Sequence, residues 1–197
     1  MCQEFKTIKK EIMRMKINKY LVIRELKIWD VIKLYKMYNS LSDESKRYFH
    51  PFPETAFYSP YFLLTWTTLA LSSIKILRKL LLKVAPHILY ITVYSLYLNE
   101  IVGFAFIKLK NRYYGELGIG IRDDFQGMGI GSKLMDSLIS LARKEGLRRI
   151  RLTVMVDNYR AIKLYEKFGF KKTKFIKNGD VYHGKKYDVI EMWLDLS

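Results

Sequence analysis

A chain of 197 residues, half of them apolar and 15% aromatic, with mean hydropathy −0.06, has the material for one domain with a sizeable core and not for a disordered chain. The single cysteine, Cys2, excludes a disulfide framework and a cysteine metal cluster and favours a reducing, cytoplasmic setting, while His50, His87 and His183 are scattered without metal-ligand spacing, so no metal is expected. The formal charge of +16 fits a nucleic acid, a polyanionic cofactor or a solubilising surface, but the basic residues are spread along the chain with only mild clusters at 6–19 and 75–83, so no nucleic-acid partner is expected.

Residues 1–19 are polar and basic and lack the apolar run of a secretory signal, so they read as an N-terminal extension ahead of a domain at 20–197. Residues 20–26 (YLVIREL) alternate and are β-branched, a first strand. From Asp30 to Tyr38 the spacing of Val31, Leu34, Tyr35 and Tyr38 is helical. Residues 39–60 read as a loop with Pro51, Pro53 and Pro60, able to serve as a lid. Residues 61–84 read as one or two helices, the second carrying Lys75, Lys79 and Lys83 on one side and Leu77, Leu80, Leu81 and Val84 on the other. The charge-free run 56–74 contains Pro60 and polar residues and is not apolar enough to span a bilayer, so no membrane insertion is expected.

Strands are expected at 90–98 and 101–109 around an Asn99–Glu100 turn, then at 113–121 after Asn111–Arg112. A helical stripe of Leu134, Met135, Leu138, Leu141 and Ala142 stops at Gly146, and Ile150, Leu152 and Val154 alternate on a strand. Asn158 can cap a helix that runs to Phe168 and closes on Gly169 and Phe170. Strands near 171–176 and 188–196 are expected around an Asn178–Gly179 turn. The order is that of an α/β protein of the α+β type, with a single mixed, mostly antiparallel sheet and helices on both faces. Residues 113–155 form a right-handed parallel crossover.

Gln126-Gly127-Met128-Gly129-Ile130-Gly131 lies between a well-marked strand and a well-marked helix. A helix N-terminus presents unpaired N–H groups, and glycines let phosphate oxygens approach the backbone without meeting a Cβ. Gly131-Ser132-Lys133 has the wrong order for a P-loop, and the G-x-G-x-G spacing is not the dinucleotide fingerprint. Along 113–121 the period of two puts Glu116, Gly118 and Gly120 on one face and Leu117, Ile119 and Ile121 on the other, a bare trough beside a carboxylate.

Gln126-x-x-Gly129-x-Gly131 resembles the acyl-CoA signature of the GCN5-related N-acetyltransferase (GNAT) family. Asn158-Tyr159-Arg160-Ala161-Ile162-Lys163-Leu164-Tyr165-Glu166-Lys167-Phe168-Gly169-Phe170 resembles that family's second segment, Asn-x-x-Ala-x-x-x-Tyr-x-x-x-Gly-Phe, and Glu116-Leu117-Gly118-Ile119 ahead of the loop is similar too. The resemblance implies the acyl-CoA N-acyltransferase fold, acetyl-CoA as co-substrate, and direct transfer of an acetyl group to a primary amine in a ternary complex. It implies cofactor contacts from Ile119, Gly120, Ile121, Gln126, Gly127, Met128, Gly129, Ile130, Gly131 and Asn158, with Ser132 and Lys133 within reach of phosphate. An N–H near Ile119 or Gly120 would face the thioester carbonyl. Tyr165 faces inward with Ala161 and Phe168, and the resemblance gives it the role of proton donor to the departing thiolate. Glu116 is the candidate general base. Arg122, Arg160 and Lys163 read first as solvated surface and second as neighbours of the cofactor's phosphates. His50, Tyr182 and His183 read first as loop packing and second as acceptor wall. The acceptor stays open between a protein amine and a small amine or aminosugar, a homodimer is an option, and the alternative to an enzyme is a non-catalytic acyl-CoA sensor of the same fold.

Overall fold

The computed structural model describes residues 20–50 and 88–196. The extension at 1–19, the proline-rich part of the expected lid and the expected helices at 61–84 lie outside the described residues. The strands are β1 (Leu21–Arg24), β2 (Ile88–Ser95), β3 (Glu100–Leu109), β4 (Tyr114–Ile121), β5 (Arg149–Met155), β6 (Lys171–Tyr182) and β7 (Lys185–Asp195). Among the described residues the helices are α1 (Val31–Asn39), α2 (Asp43–Tyr48), α3 (Ile130–Lys144) and α4 (Tyr159–Lys167). The strands form one mixed sheet in the order β1-β2-β3-β4-β5-β7-β6, antiparallel except at the β4–β5 junction.

Alternation on β2 divides the core into two layers. Leu89, Ile91 and Val93 join the cluster under α3, where Ile130, Leu134, Met135, Leu138, Ile139 and Ala142 are buried. Tyr90 and Tyr94 join the opposite cluster, against Val31, Leu34 and Met37 of α1. Helices therefore cover both faces, as the element order implies. Gly103 brings α3 close to the sheet, since a Cβ there would lie 3.3 Å from Leu134 Cδ1.

Both long C-terminal helices stop as expected. At α3 the Gly146 φ is +78°, Gly146 N–H donates to Arg143 O, and Leu147 N–H donates to Ala142 O. At α4 the Gly169 φ is +87°, Gly169 N–H donates to Glu166 O, and Phe170 N–H donates to Tyr165 O. Each is a Schellman closure, which needs a left-handed residue at its turn.

Other expectations are corrected. The expected loop at 39–60 contains α2, a six-residue helix capped by Ser42, whose side chain accepts from Ser45 N–H. Its sequence, DESKRY, buries none of its residues and so offers no apolar periodicity. The β2–β3 connection takes residues 96–99, with Asn99 at φ 56°, and β2 ends at Ser95 rather than at Leu98. The last hairpin turns at His183 and Gly184, with φ of 48° and 72°, instead of at Asn178–Gly179. Asn178 and Gly179 form an irregularity inside β6, where the register shifts between Ile176 and Asp180.

Candidate active site

β4 and β5 pair in parallel only at Tyr114–Arg149, Gly115–Ile150 and Glu116–Arg151, then separate although both strands continue. The direction of the freed backbone groups follows from their neighbours. Tyr113 O accepts from Arg148 and Arg149 N–H on the β5 side, while Tyr114 O accepts from Lys110 N–H on the β3 side. Because backbone groups alternate along a strand, the N–H groups of Ile119 and Ile121 face the gap between β4 and β5, and that of Gly120 faces β3. Of the two expected donors, Ile119 is the one whose N–H faces the gap.

The gap opens into a cavity of about 900 Å³. Its wall includes the expected Ile119, Gly120, Ile121, Gln126, Gly127, Gly129, Ile130, Gly131, Ser132, Asn158 and Tyr165. Met128 lies outside it, partly buried against the α3 side of the core. Lys133 and Glu116 also lie outside, and the Glu116 carboxylate is held 2.7 Å from Lys110 Nζ.

At one end the cavity meets the N-terminus of α3. Gly127 and Gly129 take φ of 78° and 77°, and Gly129 is the left-handed N-cap. Arg160, Lys163 and Lys167 line the same cavity, and Lys167 Nζ is 3.5 Å from Ser132 Oγ. Helix N–H groups and three cations suit a polyphosphate. Arg122 is elsewhere, ion-paired with Asp124 at 2.7 Å and Glu100 at 2.6 Å.

Gln126 works as a brace. Its Nε2 donates to Ile121 O at 3.1 Å and Asp123 Oδ1 at 3.0 Å, and its Oε1 accepts from Arg160 at 2.9 Å. Asp123 in turn accepts from Ser42 N–H at 2.7 Å and from Ser45 Oγ, fastening α2 to the glycine loop. Burial opposes ionisation of Asp123, but the hydrogen bonds from Ser45 and Ser42 outweigh it and hold its carboxyl below the usual range.

On the α2 side the wall is Leu41, Ser42, Glu44, Ser45, Tyr48 and Phe49. Sequence reasoning did not single out Leu41, Ser42, Glu44 or Ser45, since they lie in an expected loop; Tyr48 and Phe49 belong to the aromatic stretch around His50 that it read second as acceptor wall. The trough over Gly118 and Gly120 is not bare: a Cβ on Gly118 would come 2.5 Å from Phe106 Cζ, and one on Gly120 would meet the Phe49 ring. Arg47 crosses from α2 to Asp157 at 2.7 Å, next to the Asn158 cap whose Oδ1 accepts from Ala161 N–H. His50 bonds Asp180 at 3.1 Å and packs its ring 5.3 Å from Tyr182, while His183 forms the hairpin turn; none of these three lines the cavity.

Tyr165 sits two residues before the end of α4, with its ring 5.8 Å from that of Phe170. Burial pushes its hydroxyl well above the usual tyrosine range, so it keeps its proton at any working pH. Among the described residues no group of three or more His, Cys, Asp or Glu could hold a metal ion, and no helix is long and apolar enough to cross a membrane.

The model of the acetyltransferase (GNAT) family matches residues 35–170, well over half of the chain. The chain belongs to the GNAT family. It is 33% identical over 106 residues to a spermine/spermidine N(1)-acetyltransferase of Bacillus subtilis, covering 49% of this chain and 66% of that protein. It is 34% identical over 93 residues to the L-amino acid N-acetyltransferase AaaT of Escherichia coli, covering 42% and 57%. The chain thus spans under two thirds of either relative. A GNAT-family acetyltransferase structure from Streptococcus pneumoniae superposes with TM-score 0.67 at 27% identity, covering 89% of this chain and 99% of that one.

Proposed function

We propose that this GNAT protein is an acetyl-CoA-dependent N-acetyltransferase that acetylates a primary amine by direct attack in a ternary complex. The observation that carries the reading is the gap between β4 and β5, which leaves strand-edge N–H groups free and leads to a glycine-capped helix N-terminus. An acyl-CoA needs strand-edge partners for its amide-bearing arm and N–H groups with cations for its phosphates. Ile119 and Ile121 offer the first; α3, Arg160, Lys163 and Lys167 offer the second. The co-substrate supplies the activated acyl group.

This chain's residues do the rest. Ile119 N–H donates to the thioester oxygen as negative charge develops there. Tyr165, kept protonated by burial, gives its proton to the departing sulfur. Glu116 is the candidate base, but Phe106 covers the strand between it and Gly120, so proton removal through Glu116 needs bridging water. The relatives named above act on polyamines and amino acids respectively, which supports a small amine as acceptor.

Initial rates measured across both substrates test the reading. Intersecting double-reciprocal lines are expected. Parallel lines would show a covalent acyl-enzyme, and saturable CoA binding with no amine-dependent turnover would leave the sensor alternative.

A further inference from the structure

We infer that Phe49 sets the length of the acyl chain that the site accepts, an inference that rests on the acyl-CoA reading above. Phe49 follows α2 and lines the cavity, and its ring occupies the space into which a side chain at Gly120 would project. Tyr38 and Phe106 hold the ring from two sides, each with its centroid 6.4 Å away. Phe106 in turn fills the space over Gly118. Both glycines are thus explained by aromatic rings that occupy the space a Cβ would take, not by a ligand lying there.

A thioester carbon has three substituents in one plane. Its oxygen meets Ile119 N–H in the sheet plane, and its sulfur lies towards Tyr165, which belongs to the α3 side of the core. The acyl tail then leans to the opposite sheet face, and on that face the cavity wall is Phe49 over Gly120. A methyl group fits in front of the ring; each further methylene meets a side chain that two neighbouring rings keep from turning away. Apolar pockets discriminate by about 10-fold or more for each methylene.

The test compares acetyl-, propionyl- and butyryl-CoA with the full chain and its Phe49→Leu and Phe49→Ala forms, with thermal melting in CoA and in each acyl-CoA as a readout independent of turnover. The expected result is a butyryl-to-acetyl ratio of kcat/KM that rises at least 10-fold in Phe49→Ala and less in Phe49→Leu, with a parallel gain in the melting shift given by butyryl-CoA. Gly120→Ala, which drives a methyl into the ring, is expected to weaken acetyl-CoA turnover in the Phe49 form and to recover when combined with Phe49→Leu. If CoA stabilises every form but the ratio is unchanged in both Phe49 variants, Phe49 does not set chain length. If neither CoA nor any acyl-CoA shifts the melting of the unmodified chain, the acyl-CoA reading fails and this inference with it.

Discussion

Tyr165 is fixed by the way its helix ends. Phe170 beyond Gly169 bonds back to Tyr165 O and packs its ring on that of Tyr165, so the side chain assigned proton donation is held by a local closure. Tyr165→Phe keeps the packing and removes the proton. The expected loss is about 10²- to 10⁴-fold in kcat with little change in affinity for acetyl-CoA, read by steady-state kinetics beside a binding titration. Unchanged kcat would remove Tyr165 from the mechanism.

The His50–Asp180 bridge titrates. Burial alone would lower the His50 pKa, but the hydrogen bond and charge of Asp180 outweigh it and raise it above 6.5. Burial would raise Asp180, but the bond and charge of His50 hold it below 3.8. The raised histidine stabilises fully below 6.5 and loses that contribution as pH rises through its folded value. The depressed carboxylate stabilises fully above 3.8 and loses its contribution as pH falls through its own. The bridge therefore contributes most between those two values. Asp180→Asn is expected to lower the melting temperature at pH 5 clearly more than at pH 9; an equal loss at both would mean that the pair does not titrate as argued.

Among the elements, α3 and α4 were legible from sequence because their signals are local. A buried stripe at helical spacing, an Asn158 cap and a glycine stop each act within a turn or two. The short α2 was not legible. Its six residues bury nothing, and what anchors it is Asp123, far along the chain, through Ser42 N–H and the Ser45 hydroxyl. Asn178–Gly179 misled for a related reason: the pair favours a turn, but Asp188 across the ladder accepts from Asn178 N–H and β6 continues to Tyr182. Leu138→Ala, at the fully buried centre of α3, is expected to cost about 2–5 kcal/mol in chemical denaturation, and a cost under 1 kcal/mol would mean that α3 packs loosely. Asp123→Ala is expected to raise the KM for the amine several-fold more than the KM for acetyl-CoA, because it frees α2; equal rises would place its effect in the glycine loop alone.

At the scale of the whole molecule, the mixed sheet with one parallel junction was readable from the order of elements, and most of the cavity wall along β4, the glycine loop and α4 from two motifs. The α2 side of the cavity was not. Phe49 meets Gly120 only because α1 and α2 fold over the sheet, and no spacing rule links those positions. Glycines 118 and 120 accordingly read as a bare trough when they are aromatic seats. The charge of +16 also resolves only in part: Arg160, Lys163 and Lys167 line the cavity, while Arg122 and Arg149 are held in ion pairs with Glu100, Asp124 and Asp195.

If the gap between β4 and β5 presents an acyl-CoA to an amine, thiol release depends on the amine. The most direct measurement follows thiol release from acetyl-CoA by the purified chain across a panel of polyamines, amino acids, aminosugars and peptides with free α-amines. Amine-dependent release, saturable in both substrates, is expected with at least one of these acceptors. Saturable CoA binding with no release above the amine-free rate for any of them would contradict it.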